Sequence, residues 1–412
     1  MKRRRRAPGG DRALTEGRKP PREDATEEVS IERIVPGGAG LAHANGQTIF
    51  VGLCAPGDRL RVEIYQRRGK ASFASIREVI EPSPERIEPP CPYFGRCGGC
   101  DFQQLNYRAQ LDSKVSIIRD CLRRIARIEP PEQIPITPSP LEWQYRSRAQ
   151  WQYDPVRRHL GYFERGSHRV CDVVECPVIV PQLQEALTRL RERARDGSLP
   201  DVQEFQAVAG DEGASLTPPV APGTMREVTR TIGEHRYRFD AEGFFQINHE
   251  LLPSLIAAAV SDAEGEHAID LYCGVGLFTL PLARRFARVT GVEADESAIS
   301  HARSNLQDAR LSNVAFHCAR VSDWLEAPGR KSAPLDLILL DPPRAGVEEK
   351  AMAGILALAP RRIAYVSCDP ATLARDLKRL IDGGYHLDSV AAFDLFPQTH
   401  HVETVAHLRA FA

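Results

Sequence analysis

The stretch Ser367-Cys-Asp-Pro-Ala-Thr372 sets a thiol between a run of strand formers, Ile363-Ala-Tyr-Val366, and residues suited to opening a helix. Asp369 can N-cap that helix and Pro370 fits its first position. The partial positive charge of a helix N-terminus favours a thiolate, so Cys368 reads as a nucleophile rather than as a small packed hydrophobe. A second group of thiols follows another logic. Cys91, Cys97 and Cys100 crowd into the loop Cys91-Pro-Tyr-Phe-Gly-Arg-Cys-Gly-Gly-Cys100. Three thiols so close in a flexible loop point to a metal, completed by Cys171 or Cys176. The spacing leaves zinc and an iron–sulfur cluster both open. Cys54, Cys121, Cys273 and Cys318 stand apart and read as packing or bystander residues.

Carboxylates and glycines supply a further set. Residues 268–272 read as a strand, Cys273-Gly-Val-Gly276 as a turn and residues 277–286 as a helix. Glycines let the backbone make the tight turn and approach a ligand closely. A second strand, 288–292, delivers Glu293, placed to bind ribose hydroxyls. A dinucleotide fingerprint wants a third glycine where Thr279 stands, so the D-x-x-C-G-x-G form favours S-adenosylmethionine over NAD. Leu335-Asp-Leu-Ile-Leu-Leu340 then runs into Asp341-Pro-Pro-Arg344. Ligands in open α/β sheets bind beyond the carboxyl ends of strands, so these segments and Cys368 should meet in one crevice.

The elements that must position these residues fall into four stretches. Residues 1–28 are polar, charged and basic at the start, a composition expected of a disordered tail. Residues 29–84 carry short β-rich pieces separated by Gly, Asn-Gly and Pro-Gly-Asp turns, which fits a small OB-type barrel able to bind RNA. Residues 85–242 form a mixed region with the cysteine loop, an amphipathic helix near 105–128 that can pack on the catalytic domain, and a strand near 147–153. From 243 to 412 strands and helices alternate, the signature of a doubly wound α/β domain.

Composition narrows the classes. The chain has 412 residues, 42% hydrophobic and 26% charged, with a formal charge of −1. That balance excludes binding nucleic acid by bulk positive charge, while local basic patches stay available. No apolar run approaches the roughly eighteen residues a membrane helix needs, and no apolar stretch follows Met1-Lys-Arg-Arg-Arg-Arg6, so a cytoplasmic protein is expected. Ten cysteines in so long a chain do not make a disulfide scaffold.

Taken in order, Phe244-Phe-Gln-Ile-Asn248, Asp270-Leu-Tyr-Cys-Gly-Val-Gly276, Asp341-Pro-Pro-Arg-Ala-Gly346, Ser367-Cys-Asp-Pro-Ala-Thr372 and Phe396-Pro-Gln-Thr-His-His-Val-Glu403 resemble the RNA uracil-C5 methyltransferases that make 5-methyluridine. The resemblance implies a Rossmann-like S-adenosylmethionine-dependent domain behind a TRAM-like barrel. It implies Cys368 as the nucleophile that adds to uracil C6 and Glu403 as the base, ahead of His400 and His401. It also implies Gln246, Tyr272, Gly274, Glu293 and Asp341 as cofactor contacts and Phe244 as the aromatic that stacks on a flipped uracil. By the same resemblance, Cys176 joins Cys91, Cys97 and Cys100 around a [4Fe-4S] cluster, as in the family's ribosomal-RNA branch. Large-subunit (23S) ribosomal RNA is then the expected substrate and tRNA the alternative, with no protein partner required.

Aromatic and basic residues alternate between Trp143 and Arg169, and Tyr145, Trp151 and Tyr153 share one strand face while Arg146 and Arg148 share the other. That pattern suits RNA contact and a half-buried structural strand equally well. Two rival functions use fewer of these residues. An NAD-linked iron–sulfur oxidoreductase leaves Cys368 and Glu403 idle, and a non-catalytic RNA-binding protein leaves the crevice without a task. A radical mechanism wants different cysteine spacing and has no use for a separate nucleophile.

Overall fold

The computed structural model describes residues 26–200, 202–220, 223–327 and 335–411. Most of the expected basic tail, residues 1–25, therefore lies outside the described residues. Its last three residues depart from expectation, because Thr26–Ser30 is a strand paired antiparallel with Arg59–Arg68. Val29 is apolar and buried, which gives this polar segment an anchor in the barrel.

Six strands build the barrel, in the order Thr26–Ser30, Arg59–Arg68, Ala71–Glu81, Gln47–Val51, Gly40–Ala44 and Arg33–Ile34. The two outer strands are successive parts of one bent segment, so the sheet curls back on itself. Alternation along Arg59–Val62 sends Leu60 and Val62 inward and Arg59 and Arg61 outward. Beneath the barrel mouth, buried Asp58 is paired with Arg86 and accepts from the backbone N–H groups of Ala55 and Ser83.

The central region holds a five-stranded antiparallel sheet, Val170–Asp172, His159–Phe163, Arg148–Asp154, Glu204–Ala209 and Ala214–Thr217, packed on the helix Pro181–Asp196. The amphipathic helix runs from Tyr107 to Cys121, capped by the Asn106 side chain, and ends in one wider turn, Leu122–Ala126. Its Ile117 and Ile118 share a core with Leu373 and Leu377 of the last helix, so it packs on the catalytic sheet.

That sheet has eight strands, ordered Val314–Cys318, Phe286–Glu293, Gly265–Leu271, Leu337–Leu340, Arg362–Ser367, Glu403–Ala410, Tyr385–Phe393 and Ile136–Thr137. The first five are parallel, and Glu403–Ala410 runs antiparallel between its neighbours. Chain order reverses between Gly265–Leu271 and Leu337–Leu340, the switch point where such sheets leave a crevice. Leu337–Leu340 is wholly buried, as a parallel strand covered on both faces should be.

Candidate active site

The crevice is built at successive strand ends. After Leu271 the chain turns through Tyr272, Gly274 and Gly276, with φ of +64°, +52° and +92°. At Gly276 a Cβ would lie 3.1 Å from Leu280, so a side chain would press into the following helix. The Gly274 N–H donates to Glu293 Oε2 at 3.2 Å, and Glu293 Oε1 accepts from the N–H groups of Ala294 and Asp295. The acid that ends one strand thereby fixes the turn that ends its neighbour.

Asp341 follows Leu340 directly, and Gln246 Nε2 approaches its Oδ2 at 3.5 Å. Surrounding protein raises the Asp341 carboxyl to about 7, with the charge of Glu293 pushing the same way. Asp270, fully buried one residue before the strand end, is raised by burial to about 8. Thr279 Oγ1 donates to its Oδ2 at 2.5 Å, while Oδ1 has no partner. Carboxylates crowded this way repel one another and welcome a cation, which suits the sulfonium of S-adenosylmethionine.

Cys368 and Glu403 meet through strand register. The antiparallel pair places Ser367 opposite Thr404, so the next residues, Cys368 and Glu403, lie opposite each other. Asp369 caps the helix Pro370–Asp382 by accepting from the Thr372 N–H at 2.8 Å. The helix start is therefore where the sequence puts it, but the expected thiolate is not the resting state. Burial pushes the Cys368 thiol up to about 12, helped by the charges of Glu403 and Asp341 and opposed by the nearby Arg344 guanidinium. Glu403 is itself buried and raised well above the usual carboxylate range, first by burial and then by Asp341, and its Oε1 is unpaired. Arg344 lies in the quoted Asp-Pro-Pro-Arg motif, yet its role at the sulfur needed the fold to appear.

Phe244 is 62% exposed, which excludes ordinary core packing, while Phe245 beside it is buried against Phe239. His401 is held neutral, pushed down to about 3 by burial and by neighbouring His400 and Arg344. His400 is paired with Asp101.

Matches to known proteins agree with this geometry. A family profile described as tRNA (Uracil-5-)-methyltransferase covers residues 225–410, and one described as the TRAM domain of tRNA (uracil(54)-C(5))-methyltransferase covers residues 28–85. The 23S rRNA (uracil(1939)-C(5))-methyltransferase RlmD of Alkalilimnicola ehrlichii is 34% identical, over 92% of this chain and 95% of its own. The chain belongs to the RNA uracil-C5 methyltransferase family. RlmD of Pectobacterium atrosepticum is 33% identical over 92% of each chain. The Pyrococcus abyssi tRNA (uracil-54, C5)-methyltransferase, solved with S-adenosyl-L-homocysteine, has a TM-score of 0.70 and 26% identity, covering 92% of this chain and all of its own. As a member of this family the protein is an S-adenosylmethionine-dependent enzyme acting on RNA, with a TRAM barrel in front.

The cysteine loop comes together only in part. Cys97, Cys100 and Cys176 pack against the same central core, and each carries a thiol raised by burial. Cys97 lies within electrostatic reach of Cys91, Cys171 and Cys176, and Cys100 of Cys97 and Cys176. Cys171 is fully buried on its strand, and its sulfur accepts from Arg96 Nε at 3.3 Å. Among the described residues no three His, Cys, Asp or Glu side chains converge as ligands of a single metal ion. The ten cysteines are all free.

The aromatic and basic strand is structural. Tyr145, Trp151 and Tyr153 are buried in the central core, so they cannot stack bases. Arg146 Nε donates to the Arg148 carbonyl. Arg148 donates to the carbonyls of Ala241 and Gly243 and to Gln206, bracing the turn that presents Phe244. No helix among the described residues is long and apolar enough to cross a membrane.

Proposed function

We propose that this enzyme methylates C5 of a uridine in 23S ribosomal RNA through a covalent adduct between Cys368 and uracil C6. The observation that carries the reading is the placement of Cys368 and Glu403 opposite each other at paired strand ends, within electrostatic reach of Asp341. Phe244 stacks on the uracil once it leaves its stack. Cys368 gives its proton to solvent as its sulfur adds to C6, moving the C5=C6 electron pair toward C5 and O4. Arg344 stabilises the charge that develops at the sulfur. Bound S-adenosylmethionine would supply an electrophilic methyl group to the enriched C5 and would leave as S-adenosylhomocysteine. Glu403 then removes the C5 proton, the double bond re-forms and the Cys368 thiolate leaves. Gln246, Tyr272, Gly274, Glu293 and Asp341 hold the cofactor.

Cys91, Cys97, Cys100 and Cys176 are the residues that would hold a [4Fe-4S] cluster. The donor set fits in its chemistry: the thiols of Cys97, Cys100 and Cys176 have charged forms disfavoured by burial, a cost that bound iron would offset, and Cys91 lies within electrostatic reach of Cys97. Cys171 is the less suitable fourth ligand because Arg96 already bonds its sulfur. Such a cluster would serve as a structural staple for this region.

The choice of RNA rests on the ribosomal-RNA relatives, while the structural neighbour is a tRNA enzyme. Nucleoside mass spectrometry after reaction with unmodified 23S rRNA and with unmodified tRNA tests it. The reading expects 5-methyluridine in the 23S rRNA alone. Product in tRNA alone would transfer the assignment to tRNA.

A further inference from the structure

The catalytic base has an unusual foundation. Glu403 opens its strand, but residues 394–402 leading into it form no helix or strand. They are tied instead by contacts distant in sequence. Lys114, buried without exposure, pairs with Asp394 and donates to the Phe396 carbonyl. Tyr145 donates to the Pro397 carbonyl, and Gln110 and Gln398 exchange two hydrogen bonds.

The last of these ties before Glu403 is Asp101, the residue after Cys100. Its Oδ1 accepts the His400 backbone N–H at 2.9 Å, and its Oδ2 meets His400 Nδ1 at 2.5 Å. In return, the N–H groups of Asp101 and Phe102 donate to the Gln398 carbonyl at 3.1 and 3.0 Å. The barrel closes over the same point. Gly38, with φ +78°, approaches so closely that a Cβ there would lie 2.9 Å from Asp101 Oδ2 and from His400 Cβ and Nδ1. Three segments, from the barrel, the cysteine loop and the catalytic sheet, thus meet three residues before Glu403.

We propose that Asp101 and His400 form a latch that positions Glu403, so that the end of the cysteine loop and the barrel brace the catalytic base. The proposal rests on the assignment of Glu403 as base. Neither Asp101 nor His400 needs to touch uracil or cofactor; their effect passes through the backbone of His400 to Glu403. It should therefore fall on removal of the C5 proton and spare formation of the Cys368 adduct.

The test uses the full-length enzyme with C5-tritiated 23S rRNA and methyl-labelled S-adenosylmethionine. Tritium release, denaturation-resistant methylated protein–RNA adduct and cofactor affinity are measured for wild type, Asp101→Ala, Asp101→Asn, Gly38→Ala and Glu403→Gln. Asp101→Ala is expected to slow tritium release by roughly 10²-fold, as a misplaced catalytic group does, while adduct accumulates as in Glu403→Gln. Asp101→Asn keeps the acceptor for the His400 N–H and should fall between Asp101→Ala and wild type, and Gly38→Ala should also accumulate adduct. Cofactor affinity should stay near wild type in all the latch variants.

Wild-type release without adduct in both Asp101→Ala and Asp101→Asn, while Glu403→Gln accumulates adduct, would overturn the latch and leave the base assignment standing. Loss of adduct formation and cofactor binding together in Asp101→Asn would also overturn it, in favour of a general structural role. Absence of adduct in Glu403→Gln would remove the base assignment and the latch with it.

Discussion

The strand-end crevice and the strand Arg148–Asp154 both carry residues that look chemical, yet they treat their polar groups in opposite ways. On the strand, Arg148 is surrounded by acceptors and uses its guanidinium on two carbonyls and an amide. In the crevice, Glu403 and Asp270 are more deeply buried than half-buried Arg148, yet each keeps an oxygen without a partner. A buried polar group that is fully paired adds rigidity, whereas one left unpaired costs free energy that folding alone does not repay. The difference separates residues that hold the fold from residues that wait for a cofactor and a substrate.

The comparison can be sharpened by substitution on each side. In the crevice, Glu403→Gln should cut turnover by roughly 10²–10⁴-fold, the usual worth of a general base, as measured by single-turnover methyl transfer. Asp341→Asn should weaken S-adenosylmethionine by roughly 10- to 100-fold, the range for a lost charge-assisted bond, as measured by calorimetry. Wild-type affinity should also fall as the pH drops below about 7, where Asp341 takes up a proton, and the Asn variant should lack that dependence. Equal pH profiles would remove Asp341 from the cofactor site.

On the strand, Arg148→Met should lower the melting temperature and leave the salt dependence of RNA affinity unchanged. A phosphate contact would instead reduce the slope of log K against log salt by roughly 0.7–0.9. The smallest effect is expected at Asp270. Its carboxyl is raised from an ordinary value of 3.8 to about 8, so the protonated form is favoured on folding. Its contribution to stability is complete below the unfolded value and is lost as pH rises through about 8. Asp270→Asn should stabilise the cofactor-free protein above that pH, by roughly 1–3 kcal/mol, and give no gain near pH 4. Denaturant titrations at the two pH values check this.

The crevice was legible because its residues sit at strand ends, where turn glycines, Asp-Pro-Pro and a helix cap mark the same edge. The barrel was legible from alternation and turns, apart from the strand that begins at Thr26 in a polar context. The strand 148–154 misleads in isolation because alternation reports two faces without saying which neighbours cover them; the helix Pro181–Asp196 and the Phe244 turn supply that cover. The state of Cys368 was hidden for a similar reason. A helix N-terminus favours a thiolate, but burial and two carboxylates outweigh it, and those neighbours come from Asp341 and Glu403. The Asp101 and His400 pair spans 299 residues of chain, beyond any local pattern.

The most direct test of the account is tritium release from C5-labelled 23S rRNA by the wild-type enzyme and by Cys368→Ala, each with and without S-adenosylmethionine. The account predicts release by wild type only with the cofactor, and none by Cys368→Ala under either condition. Cofactor-dependent release by Cys368→Ala at the wild-type rate would contradict covalent catalysis and leave Cys368 a packed thiol at the end of a strand.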